Sequence, residues 1–364
     1  MSGAFVLAAG GTGGHLFPAQ ALASELLRRG RRVVVMTDGR GHNYGTAFPG
    51  AEIATIPAAT FEGRSPLRWL ASSGIIGAGI ASALGKLRRI RPRAVVGFGG
   101  YPSFPVIVAA WLARIPCVLH EQNAVLGRVN RLVAPIARRI TASVPFARHA
   151  PKDMSRVVFT GSPVRPEAEA LAGASYSAPD KDGPIHLLVF GGSQGARALS
   201  EIVPAALTRL HENLRRRLEV TQQCRPEDVA AVESAYRAAG IKAEVARFYD
   251  DLPRRMADAH LVISRSGAST LSELTVVGRP AILIPYPFAM DDHQAANAAV
   301  LEEAGAAWMV RQSALNPDVL ARMLEEILGQ PRLLAAHAAA AARLGHPHAA
   351  SRLADVVEAT GAEG

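Results

Sequence analysis

Apolar and polar positions along this chain alternate between two periods. Short aliphatic runs at Phe5–Ala9, Val33–Met36, Glu52–Ile56, Ala94–Phe98, Pro116–His120 and Arg139–Ala142 have the length of buried strands. Between them, Ala19–Arg29, Pro66–Ile90 and Phe104–Arg114 place apolar residues at helical spacing. Strand followed by helix, repeated, predicts parallel α/β winding. From Pro145 to Pro184 the pattern loosens into proline, glycine, alanine and charge, and then it resumes. Ile185–Phe190 and the stretches 218–221, 242–246, 260–263, 281–284 and 306–309 read as strands, each followed by a helical pattern. An alanine-rich tail, Asn316–Thr360, supplies terminal helices and no motif. With 364 residues the chain exceeds what one core usually serves. The expected division is a first domain over 1–160, a linker over 161–184, a second domain over 185–345, and a terminal helix over 346–364 that can return to the first domain. The fold class is α/β, with two Rossmann-like domains whose parallel sheets face across a cleft.

The strand ends carry the chemistry, as open parallel sheets require. Phe5–Ala9 runs into Gly10, Gly11, Thr12, Gly13 and Gly14 before a helical pattern begins near Pro18. Glycines admit close backbone approach, and the free N–H groups of the following helix favour an anion, so a phosphate is the expected guest. Gly11 and Gly13 fit a dinucleotide fingerprint only in part, because Leu16 stands where its third glycine or alanine belongs. His15 follows the loop as a candidate base, or as a cap of that helix end. A second glycine loop, Gly97–Ser103, closes the strand at 94–98, and HEQN closes the strand at 116–120. The first device returns 181 residues later as Gly191 and Gly192 in GGSQGA.

Two further clusters lie in the second half. In SRSGASTLSE, Ser264 ends a strand, Gly267 and Ala268 turn into a helix, and Glu273 sits within its first two turns. A carboxylate there can accept both hydroxyls of a ribose while the helix N-terminus meets a diphosphate; alternatively it only complements the helix dipole. In PYPFAMDDHQAANA, Asp291, Asp292, His293, Gln294 and Asn297 crowd another strand end. Amide side chains suit sugar hydroxyls because they donate and accept at once. The adjacent acids suggest either helix caps or a metal, without an obvious third oxygen ligand.

Charge narrows the partners. The net charge is +9, but residues 1–160 carry 20 basic against 6 acidic side chains and residues 161–364 carry 20 against 25. The basic half wants an anionic partner: a phosphorylated substrate or an anionic membrane surface. With 5% aromatic residues and no recognisable module, nucleic acid is not expected. Cys117 and Cys224 stand far apart and suggest neither a disulfide framework nor a zinc site. The start of the sequence has no basic segment of a secretion signal, which favours the cytoplasm. The charge-free stretch Trp69–Gly85 is short for a bilayer and interrupted by glycines, so it is read as a helix that does not span.

Taken together, GGTGGHLFP, GFGGYPS, HEQN, GSPVR, GGSQGA, SRSGASTLSE and DDHQAANA, in this order and spacing, resemble the MurG family of bacterial glycosyltransferases over nearly the whole chain. The resemblance implies a GT-B fold and inverting transfer of N-acetylglucosamine from UDP-GlcNAc to the 4-hydroxyl of the muramyl sugar of undecaprenyl-linked lipid I, forming lipid II in peptidoglycan and cell-wall synthesis. It implies a peripheral enzyme at the cytoplasmic face of the bacterial membrane, alongside other cell-wall synthesis proteins. It places His15 and Glu121 as catalytic candidates, Glu121 being either a rival base or the partner that orients a histidine. Thr12, Gly13, Gly14, Tyr101, His120 and Asn123 fall on the acceptor side. Ser193 and Gln194 fall at the diphosphate loop, Arg165 near the nucleotide and Tyr249 beside the uracil. Ala268, Ser269 and Thr270 form the helix N-terminus at the phosphates, Glu273 meets the ribose, and His293 with Gln294 meets the GlcNAc. One departure is Ser162, where the family more often has Asn. No cofactor is required by this chemistry, since one imidazole, a helix N-terminus and Arg165 suffice for an inverting transfer; a divalent cation is not indicated. Rival readings are a UDP-GlcNAc epimerase, a non-catalytic sugar-nucleotide binder, and a dinucleotide oxidoreductase with Asp38 as its ribose ligand.

For the membrane, the stretch Arg64–Arg93 places Trp69, Ile76, Ile80, Leu84 and Leu87 on one stripe that suits a core. Leu70 and Ile75 fall off it among flanking arginines, as a surface at the headgroup boundary would, and Trp111 can join them.

Overall fold

Most of the aliphatic runs are followed by a helix that carries the chain back to the same edge of its sheet, and neighbouring strands pair in parallel. The computed structural model describes residues 3–10, 13–38, 47–59, 66–192 and 196–363, with only the backbone described at 66–71. Seven strands form the first sheet: β1 (Phe5–Ala8), β2 (Val33–Thr37), β3 (Glu52–Thr55), β4 (Ala94–Gly97), β5 (Cys117–Glu121), β6 (Arg139–Ala142) and β7 (Val157–Phe159), in the order β3-β2-β1-β4-β5-β6-β7. Six form the second: β8 (Ile185–Phe190), β9 (Leu218–Gln223), β10 (Lys242–Ala246), β11 (Leu261–Ser264), β12 (Ala281–Leu283) and β13 (Ala307–Met309), in the order β10-β9-β8-β11-β12-β13. In each, the chain winds outward to one side and then returns to the middle to wind the other way. The reversal lies between β1 and β4 in one sheet and between β8 and β11 in the other. Loops leaving two such neighbours diverge and open a crevice at the strand C-termini.

Side-chain alternation explains why the first sheet is covered on both faces. Val6 and Ala8 point with Val95 and Leu119 toward Ala83 and Leu87 of α2 (Pro66–Ile90) and Val106 and Ile107 of α3 (Ser103–Leu112). Phe5 and Leu7 point the other way, toward Leu22 and Leu26 of α1 (Gly13–Arg28). The final helix, Ala349–Ala362, adds Leu353, Ala354 and Val357 to that second face. Arg29 pins it there, donating to Asp355 at 2.6 Å and Glu358 at 2.7 Å. The chain accordingly forms two compact units, Met1–Arg165 with His348–Gly364, and Pro166–Pro347.

The loosened stretch after Pro145 holds an unanticipated strand, β7. Its three residues lie half-exposed at a sheet edge, so they carry no long aliphatic run. In α2 the stripe is as expected in part: Leu87 is fully buried, and Ile80 and Leu84 pack against the core. No helix among the described residues is long and apolar enough to cross a membrane.

Candidate active site

In the first unit the crevice is built from β1, β4 and β5. β1 is buried throughout and delivers Gly10 to its end; a Cβ there would stand 2.7 Å from Pro102 Cγ, so the chain must be bare at this point. Gly11 and Thr12 lie outside the described residues. α1 begins at Gly13, which sets Gly14 and His15 in its first turn.

The imidazole of His15 lies against the second glycine loop. Gly99 and Gly100 have φ of 84° and 71°. A Cβ on Gly99 would approach His15 Cε1 to 3.4 Å, and one on Gly100 would approach Cδ2 to 3.3 Å. These glycines are therefore needed twice, for a left-handed backbone and for room beside the ring. The GFGGYPS loop is a seat for an imidazole.

On the other side His15 Nδ1 lies 3.1 Å from Gln122 Oε1. The Gln122 amide is held in turn, its Nε2 donating to Phe98 O at 3.1 Å and His120 O at 3.2 Å. Gln122 had not been singled out from the sequence; its place inside HEQN, directly after a strand end, was the only signal.

The structure corrects the expectation for Glu121. Its carboxylate is buried and accepts four hydrogen bonds: from Asn123 N and Nδ2 at 3.1 Å each, from Gly127 N at 2.9 Å and from Asn130 Nδ2 at 2.8 Å. Gly127 is the N-cap of α4 (Arg128–Val133), so Glu121 fixes the start of that helix and the turn before it. Its oxygens are engaged within this turn, and the group that meets His15 Nδ1 is Gln122. Removing the carboxylate would strand buried donors at about 1–3 kcal/mol each.

His120 lies behind the crevice surface. It is wholly buried and presents no atom to an acceptor. Its Nδ1 lies 2.9 Å from Thr141 Oγ1, whose own proton goes to Leu119 O at 3.1 Å. His120 therefore donates from Nδ1. Burial, and secondarily the neighbouring His15, push its pKa down to about 3, so the ring stays neutral. Asn123 is half-buried and committed to Glu121. Tyr101 donates its hydroxyl to Asp38, a buried carboxylate at the end of β2. The carboxylate that would have served as a dinucleotide ribose ligand is thus tied to an acceptor-side residue. Arg165 sets its guanidinium 5.6 Å from the Phe17 ring centroid, on α1.

In the second unit the crevice is built from β8 and β11. Gly191 and Gly192 follow β8; Ser193 and Gln194 lie outside the described residues. β11 ends in Ser264, Arg265 and Ser266, all buried. Arg265 donates to the carbonyls of Ile284 and Pro285 and to Gln312 Oε1 at 2.6 Å, tying the β11 and β12 ends together. Burial lowers its pKa. Ser266 donates to Gln294 O at 2.8 Å and accepts at its carbonyl from Asn297 Nδ2 at 3.2 Å.

The helix Ala268–Val277 starts at Gly267, an extended N-cap with no side chain to satisfy the first-turn N–H groups of Ala268, Ser269 and Thr270. Ser269 Oγ is buried and has no hydrogen-bond partner among the described residues. Bare N–H groups beside an unpartnered hydroxyl form an anion seat. Glu273 is buried on the second turn of the same helix. His293 Nδ1 lies 2.8 Å from Met290 O, and Gln294 Oε1 accepts from Tyr286 N at 2.9 Å. Of the acids before them, Asp292 takes Arg311 Nη1 on both oxygens, at 3.0 and 2.9 Å. Among the described residues no cluster of His, Cys, Asp and Glu could hold a metal ion.

Tyr249 is buried, its hydroxyl donating to Glu244 O at 2.9 Å and Arg255 lying 4.2 Å over its ring. The aromatic face open to a ligand is that of the preceding residue, Phe248, 63% exposed. Alternation along the chain after β10 puts one ring in and the next out, and sequence alone did not say which.

The comparisons with known proteins match the two units to two family domains. The glycosyltransferase family 28 N-terminal domain matches residues 5–142, and the family 28 C-terminal domain matches residues 186–353. The UDP-N-acetylglucosamine–N-acetylmuramyl-(pentapeptide) pyrophosphoryl-undecaprenol N-acetylglucosamine transferase of Paramagnetospirillum magneticum is 52% identical over 96% of this chain and 95% of its own length. The protein of the same name from a Methylobacterium species is 53% identical over 98% and 96%. The crystal structure of Acinetobacter baumannii MurG superposes with a TM-score of 0.81 at 29% identity, covering 98% of this chain and 99% of that one. The chain belongs to glycosyltransferase family 28 and, within it, to the MurG group.

Proposed function

We infer that the protein transfers N-acetylglucosamine from UDP-GlcNAc to the 4-hydroxyl of the muramyl sugar of lipid I, with inversion, yielding lipid II. The relatives carry this activity in their names over the full length of the chain. The observation that carries the mechanism is the seating of His15 between Gly99–Gly100 and Gln122.

In the step itself the acceptor O4 attacks the anomeric carbon of GlcNAc, and its proton passes to His15 Nε2. The bond from that carbon to the diphosphate oxygen breaks, and its electron pair leaves with UDP. Developing charge on the diphosphate is met by the first-turn N–H groups of Ala268, Ser269 and Thr270 and by Ser269 Oγ, with Ser193, Gln194 and Arg165 as further contacts. Glu273 accepts the ribose hydroxyls, Phe248 offers a face to the uracil, and His293 and Gln294 read the GlcNAc. Gly13, Gly14, Tyr101 and Asn123 shape the acceptor side together with Thr12. General-base help of this kind is worth about a hundredfold to ten-thousandfold.

The acceptor is lipid-linked, so the enzyme works peripherally on the cytoplasmic face of an anionic membrane. The charge imbalance toward residues 1–160 and the exposed Ile75 and Trp111 support that placement. Incubation with radiolabelled UDP-GlcNAc and a lipid I analogue tests the activity. Label in the lipid phase is the expected result; label released only as free sugar or epimerised nucleotide would overturn it.

A further inference from the structure

We propose that Gln122 is the positioning residue of the reaction: it holds His15 in the tautomer whose Nε2 lone pair is bare, without placing a carboxylate beside the ring. The inference rests on the reading of His15 as the base, and deepens it.

The argument runs through the donors. Gln122 Nε2 faces two carbonyl oxygens, Phe98 O and His120 O, at 3.1 and 3.2 Å. The reversed amide would set Oε1 against both, so the orientation with Nε2 inward is fixed. Oε1 can then only accept, and the atom it faces is His15 Nδ1 at 3.1 Å. In the neutral ring the proton therefore sits on Nδ1 and the lone pair on Nε2. An imidazole in water prefers the opposite arrangement, so the protein selects the tautomer a base at Nε2 needs.

Hydrolytic triads solve the same problem with a carboxylate, which orients the ring and also stabilises its protonated form. Here the carboxylate next in sequence, Glu121, is turned away and saturated by Asn123, Gly127 and Asn130. The other titratable groups at the neighbouring strand ends are His120, buried and neutral, and Asp38, which accepts from Tyr101. A neutral amide fixes the direction of the ring without adding a negative charge beside it.

The test uses the full chain labelled with nitrogen-15 histidine. The protein has 11 histidines, and His15 is assigned by its absence from His15→Gln. In the wild type the long-range proton–nitrogen spectrum should show Nδ1 protonated and Nε2 bare. In Gln122→Met the proton should move to Nε2, with kcat down at least about tenfold, a fraction of the general-base effect, and KM for UDP-GlcNAc unchanged. Gln122→Glu should restore the tautomer but raise the acid limb of kcat by about one pH unit or more, as a carboxylate beside an imidazole does. A wild-type ring protonated on Nε2, or a tautomer indifferent to Gln122→Met, overturns the proposal, and the first outcome does not depend on Gln122→Met folding. A tautomer that switches while kcat does not would uphold Gln122 and sink His15 as the base.

Discussion

The two crevices share one topology and use it in opposite ways. Each opens where a parallel sheet reverses its strand order, and each is lined by glycines after the central strand. In the first unit the glycines make room for a side chain, and a chain of side-chain contacts from Gln122 to His15 sets up a reactive nitrogen. In the second, the glycines and the bare start of Ala268–Val277 offer the backbone itself, with one unpartnered hydroxyl. Side chains can exchange a proton; backbone N–H groups can only hold charge in place. The first crevice is therefore suited to the acceptor hydroxyl and the second to a diphosphate, and damage to the two should show in different kinetic constants.

The largest expected effect is at His15. His15→Ala should lower kcat by about a hundredfold to ten-thousandfold while UDP-GlcNAc binding, measured by calorimetry, stays nearly unchanged. Comparable losses in both would erase the distinction between the crevices. The glycines sharpen it. Gly100→Ala meets both a left-handed φ of 71° and the His15 ring at 3.3 Å, whereas Gly192→Ala meets a φ of 84° with no atom within 4 Å. Each should lose about 1–3 kcal/mol of stability to backbone strain. Only Gly100→Ala crowds the imidazole, so it should also lower kcat, by about tenfold as part of the base contribution; an unchanged kcat would contradict the seat assigned to Gly99 and Gly100.

Glu273→Ala tests the donor side. It should raise KM for UDP-GlcNAc and narrow the preference for the ribose donor over its 2′-deoxy analogue by about tenfold, the value of one hydrogen bond to a charged group. An undiminished ribose preference would remove Glu273 from the site.

His120 gives a pH test of the acceptor side. Its pKa falls from 6.5 toward about 3 on folding, first through burial and then through His15. The unfolded chain binds the extra proton between those values, so this contribution to stability is full above pH 6.5 and is lost as pH falls toward 3. The limiting slope is about 1.4 kcal/mol per pH unit. Urea titrations of wild type and His120→Gln at several pH values should show a shallower acid loss in the variant. Identical slopes would mean that His120 is not held neutral.

The inner strands were legible in the aliphatic runs, because a strand buried on both faces has few ways to be written, whereas the exposed edge strands β3 and β10 were legible from their place in the strand–helix alternation. β6, β8 and β10 fall on the predicted residues, and the other long runs shift by a residue or two. β7 was not legible, since an edge strand of three half-exposed residues leaves no pattern. The motifs located both crevices but not the roles within them. HEQN offered three polar side chains in a row, and only the fold decides that His120 points into the core, Glu121 into the turn before α4 and Gln122 toward His15. Tyr249 and Phe248 are the same case: adjacent aromatics, one inside and one out. Strand-end residues leave the alternation that identifies faces, so their direction depends on contacts distant in sequence.

The smallest expected effect concerns the surface of the first unit and leaves both crevices intact. Ile75 on α2 is 44% exposed and Trp111 on α3 is 52% exposed, while Ala83 and Leu87 on α2 are buried. The side chains of Trp69 and Leu70 lie outside the described residues, so the test falls on Ile75 and Trp111. Each apolar side chain inserted at the headgroup boundary would add to electrostatic attraction worth about 1 kcal/mol per nearby basic residue. Lys86, Arg88, Arg89, Arg91, Arg93 and Arg114 supply such charge near the ends of these two helices. About half of each side chain is exposed, so Ile75→Ser with Trp111→Ser should lower the melting temperature only through the covered half and leave UDP-GlcNAc binding as it is. Sedimentation with anionic vesicles should fall several-fold, about what losing 1 kcal/mol implies, and added salt should weaken what remains. Binding indifferent to lipid charge and to both residues would place the lipid-linked acceptor's approach on another face.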